Sequence, residues 1–109
     1  MSPGLASRIA FDRVNASALR NADAVVTGLL PDGRREGTEW VARNPLRADH
    51  KPGSFKVNLH TGRWGDFATG DKGGDLVSLA AYVAALTQRE AAIRLAESLG
   101  IDPFEGGRS

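Results

Sequence analysis

The sequence predicts an α+β domain in which an N-terminal helix precedes a small three-stranded antiparallel sheet and two helices follow it. Three observations carry this prediction. Apolar residues recur at helical spacing before residue 33, the period falls to two between residues 37 and 67, and helical spacing returns after residue 75. At 109 residues, the chain has the length of a single domain. We divide it into a helical region (1–33), a sheet (34–74), two C-terminal helices (75–104) and a tail (105–109).

One apolar stripe predicts the first helix, and its members are Ala18, Leu19, Ala22, Val25, Val26 and Leu29. Asn15 or Ser17 can cap the start of this helix, whereas Gly28 and Pro31 mark its end. The sheet is predicted from alternation in segments 40–42 and 55–57 and from a returning strand over 63–67, which follows a turn at 60–62.

Local capping patterns predict both C-terminal helices. Asp75 can cap a helix that runs to about Leu86, and Gly73 and Gly74 then permit a tight entry rather than a phosphate-binding loop. Thr87 and Glu90 have the spacing of a capping box, which opens the second helix. That helix is expected to bury Ala91, Ala92, Leu95, Ala96 and Leu99, and Gly100 ends it.

Composition restricts the class of protein. There are no cysteines, which excludes a disulfide scaffold and any thiolate metal site. No apolar stretch is long enough to span a bilayer, so we expect a cytoplasmic protein without a membrane partner. The net charge is only +1, but residues 34–72 hold eight basic and five acidic side chains. This middle region is the one suited to a polyanion, although a normally solvated, loop-rich segment would have the same composition.

Four segments in the middle of the chain follow one another in a recognisable order: NPLR (44–47), PGSFKV (52–57), GRWGDFATG (62–70) and GGD (73–75). The series resembles the zinc-binding (zinc-ribbon) domain of bacterial and phage DNA primases. In that family Cys-Pro-Phe-His is followed by Pro-Ser-Phe, by Cys-Phe-Gly-Cys-Gly and by a Gly-Asp pair that opens a helix. Gly53 is an insertion relative to that pattern. The resemblance implies a zinc-ribbon type of sheet and contact with template DNA.

The same resemblance places the four metal-ligand positions at Asn44, Arg47, Asp66 and Thr69. These side chains do not form a tetrahedral Cys/His site, so we expect no metal and no other cofactor. Arg47 and Asp66 would instead form an ion pair across the former site, with Asn44 and Thr69 completing a hydrogen-bonded cluster. Without the metal, the packing of large aromatic side chains must contribute more, and we expect Phe55, Trp64 and Phe67 in that role.

The sheet face that meets nucleic acid in the primase domain is expected to carry the binding residues here. Its basic candidates are Arg34, Arg35, Arg43, Lys51, Lys56, Arg63 and Lys72. Trp64 is a candidate stacking platform for unpaired bases, with a core position as the open alternative, whereas Trp40 is expected in the core. His50 and His60 are expected to be exposed turn residues.

These observations favour a non-catalytic nucleic-acid-binding module, with single-stranded DNA as the favoured partner. It would be an accessory or N-terminal part of a phage or mobile-element primase–helicase. The alternative is a protein-interaction factor of a mobile element, such as an inhibitor of a host defence complex, whose partner is a protein of a replication or defence complex. An enzyme is not expected, because the sequence offers no nucleophile–base pair and no acidic polymerase motif.

Overall fold

The computed structural model describes residues 8–46 and 54–105. Within these ranges the chain forms four helices and one five-stranded antiparallel sheet, which confirms the α+β class. The helices are α1 (Phe11–Arg20), α2 (Ala22–Leu29), α3 (Leu76–Ala84) and α4 (Gln88–Leu99). The strands are β1 (Arg34–Glu36), β2 (Glu39–Ala42), β3 (Phe55–Asn58), β4 (Trp64–Asp66) and β5 (Lys72–Gly73). The predicted sheet of three strands is therefore wrong in strand number, since β1 and β5 extend it at its two edges.

The strands are hydrogen-bonded in chain order, from β1 to β5. Residues that pair across antiparallel strands point to the same face of the sheet. One face carries Trp40, Val57 and Trp64 in one row and Ala42, Phe55 and Asp66 in the next. Phe55, Val57 and Trp64 pack there into the core with residues of the helices, so we call it the inner face.

The opposite face, which we call the outer face, is defined by a row that runs across all five strands: Arg34, Val41, Lys56, Gly65 and Lys72. Asn58 lies on this face because it alternates with Val57. Its backbone N–H donates to the carbonyl oxygen of Arg63 at 2.7 Å, which places Arg63 opposite it on the same face.

The N-terminal stripe forms two helices rather than one. α1 begins at Phe11, so the predicted caps Asn15 and Ser17 are wrong, because both lie inside the helix. Ser17 is buried, and the Oδ1 of Asn15 accepts a 2.9 Å hydrogen bond from the backbone N–H of Val77 in α3. Asn15 thus satisfies a free donor at the start of a different helix, a tertiary role that local spacing does not reveal.

The C-terminal helices follow their capping patterns. The side chain of Asp75 accepts from the backbone N–H of Ser78, and Thr87 forms a capping box with Glu90. Gly100 ends α4 with φ at +72°, a backbone conformation that glycine adopts without strain. α3 ends earlier than predicted, at Ala84, and Ala85 takes a left-handed φ of +55°. Within the described ranges no helix has the length and apolarity needed to cross a membrane.

β5 approaches α3 closely at Gly73. The indole Nε1 of Trp64 donates to the Ser78 hydroxyl at 2.9 Å, and a Cβ added to Gly73 would lie 2.5 Å from both of those atoms. Gly73 is therefore required for packing, whereas a Cβ at Gly74 would meet open space. The entry into α3 depends on the first of these glycines.

Candidate nucleic-acid interface

A buried polar cluster joins the end of β2 to the end of β4. Asn44 is 4% exposed and Asp66 is 2% exposed. The Asn44 amide nitrogen donates to the Asp66 carboxylate at 2.7 Å and to the Tyr82 hydroxyl oxygen at 2.8 Å. The Tyr82 hydroxyl in turn donates to the Asp71 carboxylate at 2.8 Å. We call these four residues the amide–carboxylate cluster.

The cluster lies where the resemblance places the metal ligands. The described side chains do not form a zinc site. The Asn44 amide nitrogen donates to the Asp66 carboxylate and to the Tyr82 hydroxyl, so these oxygens do not converge on a cation. Thr69 is exposed, and its hydroxyl oxygen accepts from the backbone N–H of Asp71 at 3.2 Å. Of the four ligand positions, the structure brings Asn44 and Asp66 into direct contact. Arg47, and with it the predicted Arg47–Asp66 ion pair, lies outside the described residues.

Tyr82 connects the cluster to the helical layer. Its ring packs against Phe55 and Trp64, with centroids 5.9 Å and 4.8 Å away. Burial raises the pKa of Tyr82 above its ordinary value of 10.0. The hydrogen bond from Asn44 lowers this pKa and the neighbouring Asp71 carboxylate raises it, and the net change is upward. The hydroxyl therefore keeps its proton at neutral pH and remains a donor to Asp71.

A groove of about 600 Å³ crosses the outer face between β2 and the loop that follows β4. Three of the predicted basic residues line it, namely Lys56, Arg63 and Lys72. No salt bridge between described residues engages these three side chains. Glu39, Asp66 and Asp71 also line the groove, so its three basic side chains are matched by three acidic ones. Asp66 is buried and accepts from Asn44, so the acidic side chains at the open surface are Glu39 and Asp71.

Trp64 and Phe67 are the aromatic residues that line this groove, and Phe67 is the exposed one, at 78%. The sequence predicted Phe67 in the core, and that prediction is wrong. The Nζ of Lys56 lies 5.5 Å from the centre of its ring, at cation–π distance. A ring and three cations thus share one open surface.

Trp64 was a candidate stacking platform with a core position as the alternative, and the structure places it in the core. It is 7% exposed and lies parallel to Phe55, with centroids 5.7 Å apart and ring planes at 13°. Because its ring is covered on the inner face, it offers no surface to a base. Trp40 is partly buried against the core, as expected, and its indole N–H donates to the carbonyl oxygen of Leu30 at 2.9 Å.

The other predicted basic residues are dispersed. Arg35 shares the inner-face row of Trp40 and pairs with Asp23 of α2 at 3.2 Å. Arg34 lies on the outer face but pairs with Glu36 at 2.7 Å. Arg43 is exposed just beyond the end of β2, and Lys51 lies outside the described residues. The structure therefore brings Lys56, Arg63 and Lys72 together and separates Arg35 from them.

Phe67 and Tyr82 are the aromatic site residues that sequence reasoning missed, and Glu39 and Asp71 were missed as well. Strand alternation alone would have placed Phe67 on the outer face. The turn at 60–62 pairs Trp64 with the buried Val57, and a residue three positions beyond Trp64 points to the opposite face. Tyr82 lies on α3 and bonds to Asn44, 38 residues earlier in the chain, a contact that no local pattern encodes.

His60 lies exposed in the turn between β3 and β4, as expected, whereas His50 lies outside the described residues. Over 8–46 and 54–105, no group of three or more His, Asp or Glu side chains is placed to hold a metal ion. Searches of known protein families and of curated proteins find no match to this chain.

Proposed function

We propose that this chain is a non-catalytic, metal-independent nucleic-acid-binding module that acts in the cytoplasm and engages DNA through the outer face of its sheet. The observation that carries the proposal is the grouping of Lys56, Arg63 and Lys72 around one groove that also exposes Phe67. The ordered motifs from 44 to 75, which resemble the primase zinc-binding domain, support the same partner. A place beside or within a phage or mobile-element primase–helicase follows from that resemblance.

The charges of the groove define what kind of binding to expect. Each cation that meets a phosphate releases condensed counterions, and for single strands the logarithm of the affinity falls by roughly 0.7 per contact for each tenfold rise in salt. Three contacts give a slope of about −2, so affinity should fall about 18-fold between roughly 50 and 200 mM salt. Glu39 opposes this attraction, so we expect Glu39→Gln to strengthen binding.

Fluorescence anisotropy with a labelled single-stranded oligonucleotide tests the proposal. Arg63→Ala should weaken binding at low salt and make the salt slope shallower by roughly 0.7. Arg94→Ala is the matched control, because Arg94 is an exposed arginine on α4, away from the sheet. Absence of binding at low salt refutes the proposal, as does an equal effect of the two variants.

A protein partner is the second candidate, and the exposure of Leu46 and Phe67 favours it. Leu46 is 51% exposed, and its backbone N–H donates to the Asn44 side chain. The same side chain donates to Asp66, the residue that precedes Phe67. Two apolar side chains are therefore presented by the loops that the cluster joins. A stoichiometric partner from a replication or host defence complex that survives nuclease treatment, and is lost in Phe67→Ala, would favour this function over DNA binding.

A further inference from the structure

We infer that Phe67 is the stacking surface for one unpaired base, which makes the outer face selective for single-stranded over double-stranded nucleic acid. This inference rests on the proposed function and deepens it. It assigns to Phe67 a role distinct from that of the three cations, since the cations meet phosphates and the ring meets a base.

The exposure of Phe67 is the first argument. The other exposed large apolar side chains among the described residues, Phe11 and Leu46, are 39% and 51% exposed, against 78% for Phe67. Phenylalanine has no polar group with which to compensate for contact with water, so an almost fully exposed ring gains most from a partner that covers it. An aromatic base is such a partner, and stacking on Phe accepts any base because each has a π-face.

The backbone around Phe67 is held in place, which is the second argument. Its N–H donates to the carbonyl oxygen of Ser54 at 2.9 Å. The backbone N–H groups of Ala68 and Gly70, which follow Phe67, both donate to Asp66, which precedes it. Ala68 donates to the Asp66 carboxylate and Gly70 to the Asp66 carbonyl oxygen, each at 2.8 Å. The loop that presents the ring is thus ordered before binding, and little further entropy is lost when a base stacks on it.

The row of the outer face beside the ring supplies the third argument. Gly65 lies between Lys56 and Lys72 in the strand register, so two cations flank a position without a side chain. A Cβ at Gly65 would meet its neighbours at 3.6 Å, an ordinary contact distance, so packing does not require glycine there. Because Gly65 has no side chain, a trough lies between Lys56 and Lys72, beside the Phe67 ring. A sugar–phosphate backbone can lie in this trough between the two lysines.

Lys56 links the two parts of the site. In the free protein its ammonium lies 5.5 Å from the ring centre of Phe67. When a base stacks on this ring, a phosphate on the sugar of the same nucleotide comes within reach of the ammonium, which then exchanges a cation–π contact for an ion pair. In a duplex the bases are paired and stacked on one another, so they cannot cover the ring.

Three probes of about 15 nucleotides separate stacking from charge: a thymidine single strand, an abasic single strand of equal length, and a duplex. The wild-type protein should prefer the thymidine strand to both others. Phe67→Ala and Phe67→Leu should weaken thymidine binding by about 5- to 150-fold and leave abasic binding unchanged. Phe67→Trp should retain binding, and fluorescence of the new indole should be quenched by the thymidine strand and not by the abasic one.

Gly65→Val provides a test by obstruction, because valine favours a strand and should preserve the thermal midpoint while filling the trough. Reduced thymidine binding with an unchanged midpoint is expected. If the wild-type protein binds thymidine and abasic strands equally, or if Phe67→Leu binds like wild type, the stacking inference is overturned while the proposed function stands. If no probe binds at low salt, the proposed function itself is refuted.

Discussion

Replacing Asn44 with leucine tests whether the amide–carboxylate cluster holds the two loops together in the absence of a metal. Leucine has the same branching and the same number of side-chain heavy atoms as asparagine, so Asn44→Leu removes hydrogen bonds without opening a cavity. The substitution takes one donor from the buried Asp66 carboxylate at 2.7 Å, one from the Tyr82 hydroxyl at 2.8 Å, and the acceptor of the Leu46 N–H.

The expected magnitude follows from these three bonds. A hydrogen bond to a buried charged group contributes about 1.5–3 kcal/mol, and each neutral one about 0.5–1.5 kcal/mol. Because water can replace the partner of the exposed Leu46 residue, its bond contributes at the low end. The free energy of unfolding should fall by about 3 kcal/mol, and the thermal midpoint by roughly 10–15 °C.

Thermal and chemical unfolding, followed by circular dichroism, measure this loss. Asn21→Leu is the control, because Asn21 is exposed and its amide makes one bond, to the carbonyl oxygen of Ser17. Tyr82→Phe completes a double-mutant cycle and should show coupling with Asn44→Leu. EDTA should leave the midpoint of every variant unchanged. A loss for Asn44→Leu no larger than that of the control, or destabilisation by the chelator alone, would contradict a metal-independent, hydrogen-bonded cluster.

Three further predictions concern the helix boundaries. Gly73→Ala should lower the free energy of unfolding by about 1–3 kcal/mol, because the new methyl group meets the Trp64 indole and the Ser78 hydroxyl. Gly74→Ala should change it by no more than about 0.5 kcal/mol. Equal denaturation curves for the two variants would contradict this. Ala85→Gly should stabilise the protein by about 1 kcal/mol, as measured by urea unfolding, because glycine relieves the left-handed φ of +55°. Hydrogen bonding to Thr87 holds the pKa of Glu90 below its usual 4.5, so its contribution is present above that pH and is lost as the pH falls through the lowered pKa. Glu90→Gln should remove that part of the acid sensitivity of the thermal midpoint, and an unchanged pH profile would refute the assignment.

The parts of the fold that local chemistry determines were predicted from the sequence. Asp75, the capping box and Gly100 act within one helical turn, so their spacing in the chain is their spacing in space. The start of α1 was missed because Asn15, a good local cap, bonds instead to α3. β1 and β5 were missed because they have three and two residues, too few for alternation to be visible.

The prediction for the two aromatic residues was wrong for Phe67 and had left Trp64 open. Trp64 was a candidate for either a stacking surface or a core residue and is in the core, whereas Phe67 was expected to pack with Phe55 and Trp64 and is exposed. Composition does not distinguish them, since both are large and apolar. Their positions relative to the turn do, because three residues along a strand reverse the face. Lys56, Arg63 and Lys72 were among the basic candidates that the primase resemblance implied for the sheet face, but their grouping apart from Arg35 needed the strand register.

Asp66 and Phe67 are consecutive residues, and the charged one is buried whereas the aromatic one is exposed. The carboxylate is 2% exposed and the phenyl ring is 78% exposed. Burying a charge and exposing an aromatic ring both oppose folding, so the rest of the structure must compensate for this arrangement. The amide–carboxylate cluster does so for Asp66, and by fixing that residue it also fixes the outward direction of the next one. Departures of this kind from sequence-level rules are expected at functional or strained sites, and a partner that covers Phe67 would remove the second cost. The resemblance to the primase domain predicts a metal ligand at Asp66, the first residue of this pair. We regard the cluster and the exposed ring as one unit, in which hydrogen bonds hold the loop that presents Phe67.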